Sequence, residues 1–170
     1  MDFSQLIQAR HSVRRYLVRP VEQEKLDLIL EAARLAPTAD NRQPFRILVV
    51  RDEAQRTALA AAYSRKWFYT APVILAVCGV PSEVWVRFDG FDALVTDAAI
   101  VTDHIILQAT ELGLGTCWIA DFDPKAARDV LRLPDHLVPL FLTPLGYPAA
   151  GARPKKRRSQ DELVCWDEAR

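Results

Sequence analysis

Between residues 91 and 113 the chain reads FDALVTDAAIVTDHIILQATELG, and its apolar residues do not keep to one side of a helix. Leu94, Ala98, Val101, Ile105 and Leu112 make one stripe at helical spacing, while Val95, Ile100, Ile106 and Leu107 fall on other faces. A long helix that is apolar nearly all round must be covered on more than one side. The chain has 170 residues, half of them hydrophobic. That is enough for one domain with a substantial core and not comfortably enough for two. Residues 1–170 are therefore expected to form a single domain, with one side of this helix against a second subunit.

The remaining pattern is mixed. VEQEKLDLILEAARLA, residues 21–36, places Leu26, Ile29, Leu30 and Ala33 at helical spacing, with acidic residues in the first turn and Pro37 at the end. FRILVV at 45–50 and VILAVCGV at 73–80 are short apolar runs rich in β-branched residues and read as strands, with a polar, Ala-rich helical stretch between them. Gly113 or Gly115 would cap the long helix, and TCWIA would form another strand. DPKAARDVLRL would form a short helix with Asp123 as N-cap and Pro124 in its first turn, and VPLFLTPLGYP a last core strand. PAAGARPKKRRSQDE, residues 148–162, is polar, Pro-rich and basic and should leave the core.

Several functional classes are disfavoured. Twenty-two basic residues balance twenty-two acidic ones, so electrostatic function must come from local clusters. The most apolar stretch, APVILAVCGVP, is about half the length needed to cross a bilayer, and MDFSQLIQARHSVRR lacks the unbroken apolar region of a signal peptide. Cys78, Cys117 and Cys165 are widely spaced and set in apolar surroundings, which suggests buried thiols in a reducing cytoplasm. His11, His104 and His136 have no neighbouring pattern of metal ligands or nucleophiles, and no dinucleotide or phosphate-loop fingerprint occurs; the one G-x-G, at Gly113 and Gly115, follows a helix rather than a strand.

Three clusters remain. In RHSVR, an extended backbone would send Arg10, Ser12 and Arg14 to one side. Two guanidinium forks and a hydroxyl suit a phosphate monoester, although a solvated basic surface accounts for the same residues. Lys155, Lys156, Arg157 and Arg158 could converge on the same dianion, or form a solvated tail or a nucleic-acid patch. Neutral total charge and the absence of interleaved aromatics argue against nucleic acid. In the loop APTADNRQPF, Asn41 and Gln43 carry amides that suit the alternating donor and acceptor edge of a heteroaromatic ring, or ordinary turn chemistry.

Taken in order, R-H-S-V-R-R, A-P-T-A-D-N-R-Q-P-F, D-A-A-I-V-T-D-H-I-I-L-Q-A-T-E-L-G-L-G-T-C-W-I, and L-G-Y-P followed by P-K-K-R-R resemble the FMN-dependent nitroreductase family over about the whole chain. The resemblance implies an α+β, nitroreductase-like fold: a central mixed or antiparallel sheet flanked by helices, a long central helix at a homodimer interface, and a C-terminal segment extending over the partner subunit. It places FMN at that interface. Arg10, His11, Ser12 and Arg14 match the N-terminal phosphate motif, and Lys155 and Arg157 match the basic pair after the glycine-tyrosine-proline motif. Pro37, Thr38, Ala39, Asn41 and Gln43 match the stretch that reaches the flavin, at least partly from the opposite subunit. Ala120 and Asp121 stand where many members have two glycines, or a glutamate and a glycine, beside the ring.

The implied activity is a ping-pong transfer of hydride from NAD(P)H to a nitroaromatic, quinone or similar acceptor in the cytoplasm, with no metal, nucleic acid or membrane. FMN would carry the chemistry, so no catalytic side chain is assigned, and protons can come from solvent. A flavin-binding protein without turnover, and flavin destruction or reductive dehalogenation on the same scaffold, remain alternatives. Tyr63, Trp67, Phe68, Tyr69, Trp85, Phe88 and Phe91 crowd the least matched region, 63–92. Core packing is the expected role of most, with one or two stacking on substrate.

Overall fold

The computed structural model describes residues 1–152 and 154–167; Arg153, within the basic segment, lies outside them. Its centre is a four-stranded antiparallel sheet in the order β1-β2-β4-β3, built from β1 (Phe45–Val50), β2 (Val73–Gly79), β3 (Gly115–Thr116) and β4 (Val138–Gly146). Every residue of β2 is buried, and alternation along the strand divides its side chains between two cores. Val73, Leu75 and Val77 meet one hydrophobic cluster, while Ile74, Ala76 and Cys78 meet the other. An uninterrupted apolar run is what a strand covered on both faces requires.

The first cluster lies under two long helices. Helix α2 (Gln23–Arg34) buries Leu26, Ile29 and Ala33, whereas Leu30 is half-buried. Helix α5 (Leu94–Glu111) buries Ala98, Val101, Ile105, Ile106 and Ala109. Burying each large aliphatic side chain stabilises the fold by about 1.5–3 kcal/mol. The other apolar faces of α5 are covered unevenly: Ile100 and Leu107 are half-buried, and Val95 remains 55% exposed. Gly113, at φ +75°, provides the left-handed residue beyond the helix end, and Leu114 donates its N–H to the Ala109 carbonyl. Gly115 instead begins β3, which is shorter than TCWIA suggested; the strand's continuation touches β4 only through Ile119 and Leu142.

The second cluster lies under α3 (Glu53–Ala58), α4 (Lys66–Tyr69) and α6 (Pro124–Leu131), where Leu59, Phe68 and Leu131 are buried. Asp123 caps α6 by accepting from the N–H groups of Lys125 and Ala126, as its position before Pro124 predicted. Tyr63, Trp67 and Tyr69 pack against this cluster, so the aromatic crowding of 63–69 is core. Phe88 sits at the tip of a hairpin whose arms meet at Val86 and Asp92, and it is 99% exposed.

Two short helices lie at the ends, α1 (Phe3–Ala9) and α7 (Gln160–Leu163). The described residues after Ala150 are exposed, as expected of a stretch that leaves the core. One expectation fails there. Cys78 and Cys117 are buried, but Cys165 is exposed, because the Leu163–Trp166 stretch packs against no cluster and its apolar residues lie open to solvent.

Candidate functional site

The N-terminal basic motif is held as an extended strip. Val13 donates to the Thr116 carbonyl at 2.8 Å, and Ser12 pairs with Thr116 in a parallel bridge. Farther along, Leu17 donates to the Tyr147 carbonyl and Ala149 to the Arg15 carbonyl, both at 2.9 Å. The strip is thus wedged between β3 and the chain leaving β4. Val13 is buried while Ser12 and Arg14 are exposed, the alternation that an extended backbone imposes. Gly115 allows the close approach: a Cβ there would stand 2.5 Å from a methyl of Val13.

The C-terminal basic segment returns to the same place. Lys155 Nζ donates to the carbonyl of Ile7, 148 positions away in the chain. Loss of solvent around Nζ, and then the charges of Arg10 and Arg157, hold the Lys155 ammonium below its usual range. Like charges gathered in this way are unfavourable unless an anion offsets them. Among the described residues none of Arg10, Arg14, Lys155 or Arg157 forms an ion pair with a carboxylate, although seven ion pairs occur elsewhere.

Two adjoining cavities, of about 240 and 450 Å3, share His11 and Ser12 in their walls. Arg10, Asp103 and Trp118 help to line the smaller, and Arg14 and Gly151 the larger. His11 Nδ1 meets the Ala9 carbonyl at 3.0 Å and must donate there; its Nε2 is buried without a partner among the described residues. A hydroxyl and several cations unpaired among the described residues fit a phosphate monoester. Asp103 is the one residue of opposite sign in that wall. Arg14 also lies over the Trp67 ring, 5.9 Å from its centroid, which ties the strip to the second core.

The loop that carries the amides is built differently. Asp40, Asn41 and Gln43 adopt φ values of +53°, +52° and +52°, a left-handed conformation that costs a non-glycine residue about 1–3 kcal/mol. Such a loop persists only where its surroundings hold it. Thr38 accepts from the N–H of Asn41 through its carbonyl and from the N–H of Gln43 through its hydroxyl, each at 3.0 Å. The Gln43 amide donates to the Asn41 carbonyl and side-chain oxygen, while Pro37, Asn41 and Gln43 are exposed. The loop is anchored to α5, where Asp97 Oδ1 accepts from the Ala39 N–H at 2.9 Å.

Helix α5 therefore carries both parts. Asp97 holds the loop, and Ile106, about 13 Å farther along the axis by helical rise, lies in the wall of the smaller cavity. No hydrogen bond among the described residues joins Asn41 or Gln43 to the basic cluster. Ala120 and Asp121 are exposed just beyond Trp118, whose ring packs edge-on against Phe141 at 5.1 Å. Sequence reasoning missed Asp97, Thr116 and Trp118. An acidic residue interrupting an apolar helical run was the available signal for the first; Thr116 and Trp118 join the site only through strand pairing.

A larger cavity of about 520 Å3 lies away from these residues, between Leu17–Val21 and helices α3 and α4. Its arginine heads are already engaged: Arg19 with Glu22, Arg51 with Gln23, and Arg56 with main-chain carbonyls.

The nitroreductase family model matches residues 7–68 and 59–147. The crystal structure of a nitroreductase family protein from Clostridium difficile 630 superposes with a TM-score of 0.92 at 39% identity, covering 99% of this chain and 100% of that one. An FMN-dependent nitroreductase from Clostridium difficile R20291 gives a TM-score of 0.80 at 27% identity, over 96% of this chain and 98% of that one. A Thermus thermophilus protein named NADH dehydrogenase is 32% identical over 188 aligned positions, 92% of each chain.

Proposed function

Since this chain belongs to the nitroreductase family, we propose that it is an FMN-dependent oxidoreductase that passes hydride from NAD(P)H to a nitroaromatic, quinone or similar electron-poor acceptor by a ping-pong cycle. The observation that carries this reading is the return of the C-terminal basic segment to the N-terminal motif: Lys155 donates to the carbonyl of Ile7, three residues before Arg10, which lines one cavity with His11 and Ser12. The similarity to an FMN-dependent nitroreductase supports the cofactor. When bound, FMN supplies the hydride chemistry that no side chain of this chain provides.

The protein's part is binding, orientation and exclusion of water. Arg10, Ser12, Arg14, Lys155 and Arg157 would hold the phosphate, with His11 beside them in the cavity wall. Pro37, Thr38, Ala39, Asn41 and Gln43 present amide and backbone groups to the ring edge. Ala120 and Asp121 would contribute their backbone beside it, since replacing glycine by another non-proline residue keeps the N–H.

Residues 1–170 act as one FMN-binding domain in a cytoplasmic homodimer. The exposed apolar residues Phe3 and Ile7 on α1 and Val95 on α5 suit burial against a second copy. Among the described residues no helix is long and apolar enough to cross a membrane.

The deciding experiment is purification, identification of the released flavin by mass, and measurement of NADH and NADPH oxidation with a nitroaromatic and a quinone. Copurifying FMN and acceptor-dependent oxidation are expected. A protein that does not take up added FMN would overturn the reading, and bound FMN without nucleotide oxidation would make it a flavin carrier or sensor.

A further inference from the structure

Asp97 is the buried carboxylate for which neither fold nor phosphate cluster accounts. It sits in the first turn of α5 with 1% of its surface exposed. No cation pairs with it among the described residues, and its Oδ2 is buried without a hydrogen-bond partner among them. A buried, half-satisfied carboxylate is costly and is retained where it performs a task. Its one side-chain bond among the described residues, from the Ala39 N–H to Oδ1, lands immediately before the left-handed residues of the 37–44 loop, Asp40, Asn41 and Gln43.

We infer that Asp97 is a positioning residue for the flavin: by accepting the Ala39 N–H it holds the strained loop in the form that presents Asn41 and Gln43 to the ring. This rests on the FMN reading above. The phosphate cluster and the loop are anchored at different points of α5, so their contributions to binding are separable. Riboflavin, which lacks the phosphate, reports on the loop alone.

The experiment measures dissociation constants for FMN and riboflavin by flavin fluorescence quenching, with the visible absorption band of the bound flavin. Asp97→Ala should weaken both ligands about tenfold or more, the loss of one hydrogen bond to a charged acceptor, and should shift the band. Arg10→Ala should weaken FMN and leave riboflavin unchanged. Asp97→Asn keeps an oxygen for the Ala39 N–H and should restore both affinities to within about threefold.

Ala39→Pro removes the donor while Asp97 stays. Thr38 is already extended at φ −134° and ψ 157°, as a residue before proline prefers, so this variant should fold and reproduce the Asp97→Ala loss. It decides the matter if Asp97→Ala does not fold. Unchanged constants for both ligands in folded Asp97→Ala or in Ala39→Pro, or an Asn variant as impaired as Ala, would overturn the inference. Those outcomes leave the FMN reading intact, whereas wild-type protein that binds neither flavin overturns both.

Discussion

Val13 and Thr116 are joined by an N–H to carbonyl bond of 2.8 Å, and that bond fixes where the N-terminal arginines stand relative to the sheet. It requires the strip to lie against Gly115, whose missing side chain leaves room for Val13. Replacing Gly115 by Ala would force a Cβ to within 2.5 Å of one Val13 carbon and 2.9 Å of another. Because Val13 is β-branched, it cannot swing clear.

Gly115→Ala should therefore cost about 1–3 kcal/mol, in the range of overpacked cores, and lower Tm by roughly 2–4 °C for each kcal/mol. FMN affinity should fall with it, since Ser12 and Arg14 move with Val13. Calorimetry with the Val13→Ala and double variants checks the cause: the double variant should recover part of the loss, and strictly additive losses would count against a clash.

The double variant Arg10→Ala, Arg157→Ala should keep its fold and lose FMN affinity by about a hundredfold or more, as expected when two charge-assisted phosphate contacts disappear. Riboflavin affinity should be unchanged. Among the described residues neither side chain pairs with a carboxylate, so the melting temperature of the flavin-free protein should move little. Fluorescence titration with both flavins measures the difference, and equal FMN affinity in the variant would separate the two basic clusters.

Acid stability should depend on Glu22. Tyr147 donates to Glu22 Oε2 at 2.7 Å and Lys25 in turn donates to the Tyr147 hydroxyl. The Tyr147 hydrogen bond, followed by main-chain and Arg19 contacts, lowers the Glu22 carboxyl from 4.5 to about 2. The folded state thus holds this proton less tightly than the unfolded chain, so the contribution is complete above 4.5 and is lost as pH falls toward 2. Thermal melts of Glu22→Gln and wild type should differ at neutral pH and converge in acid; parallel curves would refute the coupling.

Thiol reactivity should single out Cys165. Burial pushes the Cys78 thiol up to about 12 and also raises Cys117, where Arg14 opposes the shift. Cys165 is exposed. Ellman's reagent should titrate one thiol rapidly in the native protein and all three after denaturation, and Cys165→Ser should remove the rapid phase. Fast reaction of a second native thiol would contradict the burial.

Local pattern alone determined several of the elements. The 3.6-residue spacing of Leu26, Ile29 and Ala33, the Asp123–Pro124 start of α6 and the apolar run of β2 each carry their cause within a few neighbouring residues. The ordered motifs likewise marked Arg10, Ser12, Asn41, Gln43 and Lys155 as candidates. Tertiary structure decided what those residues meet: Lys155 at Ile7, the Val13 strip at Thr116, and the Ala39 amide at Asp97. It also left Cys165 in solvent although its neighbours are apolar. The reason is one of range. Periodicity and caps depend on sequence neighbours, whereas an ion cluster, an orphaned carboxylate oxygen or an uncovered side chain is defined by groups that only the packed sheet and its long helix bring together.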